Sequence, residues 1–250
     1  MCDDGVRVSF RVEGDGKPLV FIHGWAASSN YWKYQIDHFS KSYKVIAPDL
    51  RGHGDSDKPL DADYSVERMA KDILTIIDKL SLKDVILVGH SLGGLIVLEL
   101  LRKFRDISGI TLVSTPYKET VPVFPVMLLL RWRWLAEKII TPRLVGPDAN
   151  EELLNFMRRE SAKSKPEILR RVFKEVAKYT PAIDKLGIKG ISVVGEYDRT
   201  INKRRVKEIS DILGLKFLMI KRAGHNLMLE KPSEFNIALE QFLDSLKSSS

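Results

Sequence analysis

The segment that decides the fold is Asp84-Val-Ile-Leu-Val-Gly-His-Ser91-Leu-Gly-Gly94. Its first half is a short, continuous apolar run that predicts a buried strand, and an apolar helical pattern follows it. Between them stands the Gly-x-Ser-x-Gly pattern around Ser91, which requires a strand, a sharp turn and a helix in this order. On such a turn the serine hydroxyl projects into a cleft, and the crowded backbone leaves room only for glycine two positions before and two positions after. Ser91 is therefore the candidate nucleophile.

Six further strand-like runs accompany this one. Most are short and continuously apolar, which is typical of strands covered on both faces. Amphipathic segments separate them, and the clearest of these helical segments follows Ser65, its predicted N-cap. The alternation predicts an α/β fold with a mainly parallel sheet flanked by helices. The predicted strands are Val6–Val12, Pro18–His23, Lys44–Pro48, Asp84–Val88, Gly109–Ser114, Gly190–Gly195 and Lys216–Lys221.

One stretch interrupts the alternation. From Pro116 to Pro181 the chain has seven of its eleven prolines but only one of its sixteen glycines, and its patterns are helical. We therefore predict a helical cap over residues 117–180, inserted into an α/β core of residues 1–116 and 181–250. Within the cap, the apolar run Val121–Leu130 either lines an acyl pocket or packs on the core.

Chain order points to the partners of Ser91. With this nucleophile turn, the acid and then the histidine follow the serine along the chain. Of the five histidines only His225 follows Ser91, in a loop after the last predicted strand, so His225 is the predicted general base. Asp198 follows the preceding strand and is the predicted acid, which orients the histidine. Two alternatives stay open: Glu196 as the acid, and Asp198 as the N-cap of the next helix.

A serine that attacks a carbonyl also needs backbone N–H donors where the oxyanion forms. One donor is expected directly after the nucleophile, at Leu92, and the other in the loop after an earlier central strand. That loop is His23-Gly24-Trp25, where Gly24 permits the turn and the N–H of Trp25 can face Leu92. Trp25 and Leu92 are therefore the predicted oxyanion hole.

Together these motifs resemble those of the α/β-hydrolase superfamily over nearly the whole chain. The segments that carry the resemblance are His23–Trp25, Asp49–Ser56, Gly89–Gly94, Gly195–Asp198 and Gly224–His225. Because a second tryptophan, Trp32, follows His-Gly-Trp, the chain is similar to pimeloyl-carrier-protein methyl ester esterases and cofactor-free haloperoxidase-type esterases. Asn202 stands where relatives commonly have proline, which leaves the turn after Asp198 open.

The resemblance implies a serine carboxylic ester hydrolase for short to medium acyl esters, with no metal and no organic cofactor. Related dehalogenases and epoxide hydrolases use an aspartate nucleophile, and Ser91 argues against both. Two alternatives remain: a carbon–carbon bond hydrolase of vinylogous diketones, and a non-catalytic α/β-hydrolase scaffold that binds a small molecule.

Composition limits the compartment and the partners. The single cysteine, Cys2, forms no internal disulfide, which favours a reducing cytoplasm, and we expect the terminus around it to be frayed. No apolar run reaches the roughly 18 residues of a membrane-spanning helix. No helix-turn-helix, zinc-finger or RNA-binding pattern indicates nucleic acid.

Positive charge is concentrated in the predicted cap. The chain carries a net charge of +7, and residues 117–180 hold 13 Lys/Arg against 8 Asp/Glu. Paired arginines suit carboxylates or phosphates, so we hypothesise that the cap recruits an ester on an anionic carrier. The alternative is a solvated surface. The arginines concerned are Arg131, Arg133, Arg158, Arg159, Arg170 and Arg171.

Overall fold

The strands in the described part of the chain form one sheet, and they lie at the seven predicted places. The computed structural model describes residues 1–117, 138–182 and 187–247. The spatial order of the sheet is β1-β3-β2-β4-β5-β6-β7. Only β1 is antiparallel to its neighbour, and every other pair is parallel. The strands are β1 Phe10–Glu13, β2 Pro18–Ile22, β3 Lys44–Pro48, β4 Val85–His90, β5 Ile107–Val113, β6 Gly190–Gly195 and β7 Lys216–Ile220.

Strand β4 shows why the apolar runs are continuous. Val85 and Leu87 belong to the hydrophobic core on one face of the sheet, and Ile86 and Val88 belong to the core on the other face. Successive side chains of a strand point to opposite faces, so a strand covered on both faces shows no alternation of polar and apolar residues. The predicted α/β fold, a mainly parallel sheet flanked by helices, is confirmed.

The helices supply the two covering layers. The predicted N-cap Ser65 accepts a hydrogen bond from the backbone N–H of Arg68 at 3.2 Å, and it begins the helix there. Within the described ranges no helix is long and apolar enough to cross a membrane. The α-helices that the argument uses are α1 Lys33–Phe39, α2 Val66–Lys79, α3 Leu92–Lys103, α4 Glu151–Ala162, α5 Pro166–Lys178, α6 Lys203–Leu213, α7 Leu227–Glu230 and α8 Pro232–Lys247.

The segment between β5 and β6 is helical where it is described. Helices α4 and α5 lie there, and residues 138–182 contain no strand. Helix α5 buries Ile168, Leu169 and Val172. The apolar run Val121–Leu130 lies outside the described residues, as do Arg131 and Arg133. The boundaries of the cap stay a prediction.

The N-terminal segment is packed, so the expectation of a frayed terminus is wrong. Cys2 is 7% exposed and belongs to the core on the α2 face. Next to it, the buried guanidinium of Arg51 binds Asp4 at 2.8 Å and Asp72 at 2.5 Å. Burial and a hydrogen bond with Asp72 raise the pKa of the Cys2 thiol to about 11. The thiol is therefore protonated and unreactive at neutral pH.

Candidate active site

Ser91 occupies the turn between β4 and α3. Its φ of 51° and ψ of −113° lie where residues other than glycine are rarely found. Its backbone N–H donates to the carbonyl oxygen of Val113 in β5 at 2.8 Å, which fixes the turn against the neighbouring strand. The sequence predicted this sharp turn, and the strain is held by the parallel strands on both sides.

The glycines around Ser91 are required by close backbone approaches. A Cβ atom on Gly89 would lie 2.4 Å from the carbonyl oxygen of Gly93, and one on Gly93 would lie 2.1 Å from that of Ile22. Both obstacles are main-chain atoms, which cannot rotate away as a flexible side chain could. The crowding predicted for the positions two before and two after the serine is therefore present.

We expect Gly93→Ala to destabilise the fold strongly, by more than about 3 kcal/mol, because strand β2 would have to shift. Gly214→Ala is the matched control. Gly214 has a φ of 71° at the end of α6, and a Cβ atom there meets nothing within 4 Å. Its expected cost is only the backbone strain of about 1 kcal/mol. Urea unfolding of both variants measures the difference, and equal losses would contradict the steric explanation.

The structure brings His225 and Asp198 together. Asp198 follows β6, His225 follows β7, and the His225 Nδ1–H donates to Asp198 Oδ2 at 2.8 Å. Both residues are buried, at 8% and 1% exposed for His225 and Asp198. Burial opposes ionisation of Asp198, but the charge of His225 and hydrogen bonds from His225 and Thr200 outweigh it. The pKa of Asp198 therefore lies well below its usual value, and the carboxylate is ionised at neutral pH.

Neither alternative reading of the acid fits the geometry. Glu196 is exposed and accepts the backbone N–H of Arg222 at 2.8 Å, away from His225. The N-cap of α6 is Asn202, whose side chain accepts the backbone N–H of Arg204 at 3.1 Å. Asparagine is a favoured N-cap residue, so the helix starts normally at the position where relatives commonly have proline. Asp198 therefore does not act as the N-cap of α6.

Two residues that the sequence analysis missed hold this pair and its loop. Thr200 contacts both Asp198 and His225 through its hydroxyl oxygen, at 2.7 Å and 2.8 Å. Glu230 accepts the backbone N–H of Gly224 at 3.0 Å and that of Asn226 at 3.2 Å, on either side of His225. Burial raises the pKa of Glu230 although these backbone donors oppose the shift. Glu230 therefore fixes the loop in which His225 sits.

The other histidines have structural contacts. His90 donates from Nε2 to the carbonyl oxygen of His225 at 3.0 Å, and burial holds its pKa well below the usual range. Burial also lowers the pKa of His53 to about 3 and lowers that of His23. His38 lies at the surface, 2.7 Å from Glu240. His23, His53 and His90 thus bond backbone atoms of loops, whereas His38 links two surface helices.

Ser91 and His225 line the same cleft. Trp25, Tyr31 and Leu144 contribute apolar surface to its wall, together with Met157 and Leu169 from the two described cap helices. Because α4 and α5 form part of the wall, the segment between β5 and β6 helps to shape the cleft.

The loop with Trp25 lies next to the nucleophile. A Cβ atom on Gly24 would be 3.2 Å from the Cβ of Ser91, so the backbone before Trp25 passes directly beside Ser91. The indole N–H of Trp25 donates to the carbonyl oxygen of Leu169 in α5 at 2.9 Å. Leu92, the other predicted donor, is the first residue of α3. Both residues are adjacent to Ser91, and their role at an oxyanion stays a prediction.

Of the two described arginine pairs, one is divided between two depressions and the other shares one. Arg158 lines the cleft, whereas Arg159 lines a separate polar depression. Neighbours on a helix point about 100° apart, which allows Arg158 and Arg159 to face different depressions. Arg170 and Arg171 line a third depression together with acidic side chains, among them Glu167. Recruitment of an anionic carrier stays a hypothesis.

Comparison with known proteins identifies the family. The family model described as the α/β hydrolase fold matches residues 17–150, more than half of the chain. The chain belongs to the α/β-hydrolase fold family. The predicted superfamily is therefore confirmed, and the match spans the loop of Trp25 and the turn of Ser91.

Relatives of this α/β hydrolase differ in what they are described as doing. An uncharacterised protein of Mycobacterium tuberculosis is 40% identical over 103 residues, which are 41% of this chain and 30% of the relative's length. Epoxide hydrolase 3 of Xenopus tropicalis is 26% identical over 97% of this chain and 76% of its own length. A solved esterase from Exiguobacterium antarcticum superimposes with a TM-score of 0.91 at 22% identity, covering 97% of each chain. That likeness shows the fold.

Proposed function

We propose that the protein is a serine hydrolase of carboxylic esters, with Ser91 as the nucleophile, His225 as the general base and Asp198 as the residue that orients the base. The observation that carries the proposal is the arrangement around one cleft: Ser91 on its strained turn and His225 line the cleft, and Asp198 binds Nδ1 of His225 at 2.8 Å. This leaves Nε2 of His225 available for the serine proton.

The chemistry follows from these positions. Nε2 of His225 takes the proton of Ser91 as the hydroxyl oxygen attacks the ester carbonyl carbon. The backbone N–H groups of Trp25 and Leu92 stabilise the oxyanion that forms. The histidine then gives the proton to the departing alcohol. In the second half of the reaction, water takes the place of the serine hydroxyl: His225 accepts its proton, the water oxygen attacks the acyl carbon, and the acid leaves as the proton returns to Ser91. No step requires a metal or an organic cofactor.

The proposed substrates are esters with short to medium acyl groups, and the apolar wall of the cleft supports the binding of a hydrocarbon chain. Its wall is largely apolar, with the aromatic rings of Trp25 and Tyr31 on one side and Leu144 and Met157 among the other contributors. Apolar walls with few polar groups bind the hydrocarbon chain of a ligand, and the reacting carbonyl group then lies beside the polar groups of the cleft. The position of serine at the turn separates this proposal from epoxide hydrolysis, since related epoxide hydrolases use an aspartate there.

A fluorophosphonate probe combined with a substrate panel tests the proposal. We expect covalent labelling of Ser91, and hydrolysis of p-nitrophenyl butyrate in preference to p-nitrophenyl palmitate, styrene oxide and a vinylogous 1,5-diketone. Higher kcat/KM for the diketone would identify a carbon–carbon hydrolase. Turnover of the epoxide alone would contradict the serine mechanism. Neither labelling nor turnover of any substrate would identify a non-catalytic scaffold.

A further inference from the structure

Thr200 contacts both sides of the hydrogen bond between Asp198 and His225, and we propose that it is a positioning residue for this pair. The inference rests on the proposed function, because it assigns Thr200 a role in orienting the general base. It concerns a threonine in the turn after β6 that no sequence motif singled out.

On the acid side, Thr200 fixes the carboxylate of Asp198. Its backbone N–H donates to Asp198 Oδ1 at 2.9 Å, and its hydroxyl donates to the same oxygen at 2.7 Å. The carboxylate torsion of aspartate is broad, so a buried carboxylate without such donors could rotate. With Oδ1 held by two donors, Oδ2 is presented to His225 at 2.8 Å.

On the histidine side, Thr200 supplies a second acceptor. Its hydroxyl oxygen lies 2.8 Å from Nδ1 of His225. A threonine hydroxyl has one hydrogen, and this hydrogen is used on Asp198, so a lone pair faces Nδ1. The hydrogen on Nδ1 is therefore shared between Oδ2 of Asp198 and the oxygen of Thr200.

The three contacts together select one tautomer of His225. With the hydrogen on Nδ1, every donor in the group meets an acceptor. With Nδ1 bare, its lone pair would face an ionised oxygen of Asp198 at 2.8 Å, and the single hydroxyl hydrogen of Thr200 could not serve both neighbours. The selected tautomer leaves Nε2 bare for the proton of Ser91, and both acceptors stabilise the imidazolium that follows.

A purely structural role for Thr200 predicts something different. The backbone N–H of Thr200 that donates to Asp198 forms a local turn, and Lys203 supports the turn by donating to the carbonyl oxygen of Asp198 at 2.7 Å. Both contacts survive any side chain at position 200. Thr200 is also exposed, so valine there opens no cavity in the core. Thr200→Val therefore removes the hydroxyl and leaves the turn.

The test compares Thr200→Val with Thr200→Ser on p-nitrophenyl butyrate. We expect Thr200→Val to lower kcat by about tenfold or more with KM changed by less than about threefold, because a hydrogen bond to a charged group is lost. Thr200→Ser keeps the hydroxyl and should stay within about threefold of the wild type. Equal losses in the two variants, or no loss in Thr200→Val, would overturn the inference.

A double variant shows whether Thr200 acts through Asp198. In the background of Asp198→Asn, Thr200→Val should lower the rate of fluorophosphonate labelling by less than about threefold, because the group that Thr200 holds is already altered. A loss as large as in the wild-type background would mean an independent role.

A spectroscopic readout separates this inference from the proposed function. The proton on Nδ1 of His225 should give a narrow downfield resonance in the wild type and in Thr200→Ser, and a broadened or missing one in Thr200→Val. An unchanged resonance in Thr200→Val overturns the inference whether or not esters are hydrolysed. A protein that keeps this pattern but neither hydrolyses esters nor reacts with fluorophosphonate would instead refute the proposed function.

Discussion

Ser91→Ala is expected to lower kcat/KM for p-nitrophenyl butyrate by about 10⁴-fold or more, because the acyl-enzyme forms on its hydroxyl. The loss should be confined to activity. Alanine keeps the Cβ atom at the φ of 51°, and only one hydroxyl at the edge of the cleft disappears. The free energy of unfolding should therefore change by less than about 1 kcal/mol. Ester assays and urea unfolding on the same preparation measure both quantities.

Ser114→Ala is the matched control for this variant. Ser114 also follows a central strand, β5, and has a φ of 44°, but its buried side chain does not line the described cleft. We expect it to stay within about threefold of the wild-type activity. If Ser91→Ala kept more than about 1% of the activity, or still reacted with the fluorophosphonate, another residue would be the nucleophile.

The sheet was predictable because its physical cause is local. A strand covered on both faces is apolar at most positions, and β4 shows this as an unbroken run from Val85 to Gly89. The Ser91 turn was predictable for a related reason. A side chain on Gly89 would meet the backbone of Gly93 on the same turn, and one on Gly93 would meet the backbone of Ile22 in β2. The spacing of these glycines around Ser91 is visible in the sequence.

Chain order identified the histidine and the acid, but not the residues that hold them. Glu230 matters because its carboxylate also accepts the N–H of Gly146 at 2.5 Å, across 84 positions of the chain. Nothing local at Glu230 indicates that contact, since it depends on which loops meet at the edge of the sheet. Thr200 lies only two residues from Asp198, yet the contact of its hydroxyl with His225 depends on how the fold places the loop of His225 beside it.

The expectation of a frayed N-terminal segment failed because the contacts that hold this segment come from distant parts of the chain. Cys2 was expected at a frayed end, but the terminus is held by Arg51, whose guanidinium binds Asp4 and Asp72 from distant parts of the chain. Arg158 and Arg159 are neighbours in the sequence, yet they line different depressions. Charge counts and sequence neighbourhood do not contain this directional information.

Asp198→Asn is expected to lower kcat by about 10⁴-fold and to change KM by less than about threefold. The geometry gives the reason. The backbone N–H and the hydroxyl of Thr200 both donate to the position of Oδ1, so the amide oxygen of an asparagine would occupy it. Its NH₂ group would then face Nδ1 of His225 and require that nitrogen to be bare. The hydrogen would move to Nε2, the atom that must accept the proton of Ser91.

Glu196→Gln is the control that decides between the two carboxylates. Glu196 lies only two residues away, follows the same strand and would lose the same single charge, but it is exposed and binds the backbone N–H of Arg222. We expect its kcat to remain within about threefold of the wild type. Because the two substitutions change the net charge equally, any difference between them comes from contact with His225 and not from the overall field. A larger loss for Glu196→Gln than for Asp198→Asn would show that Asp198 is not the acid.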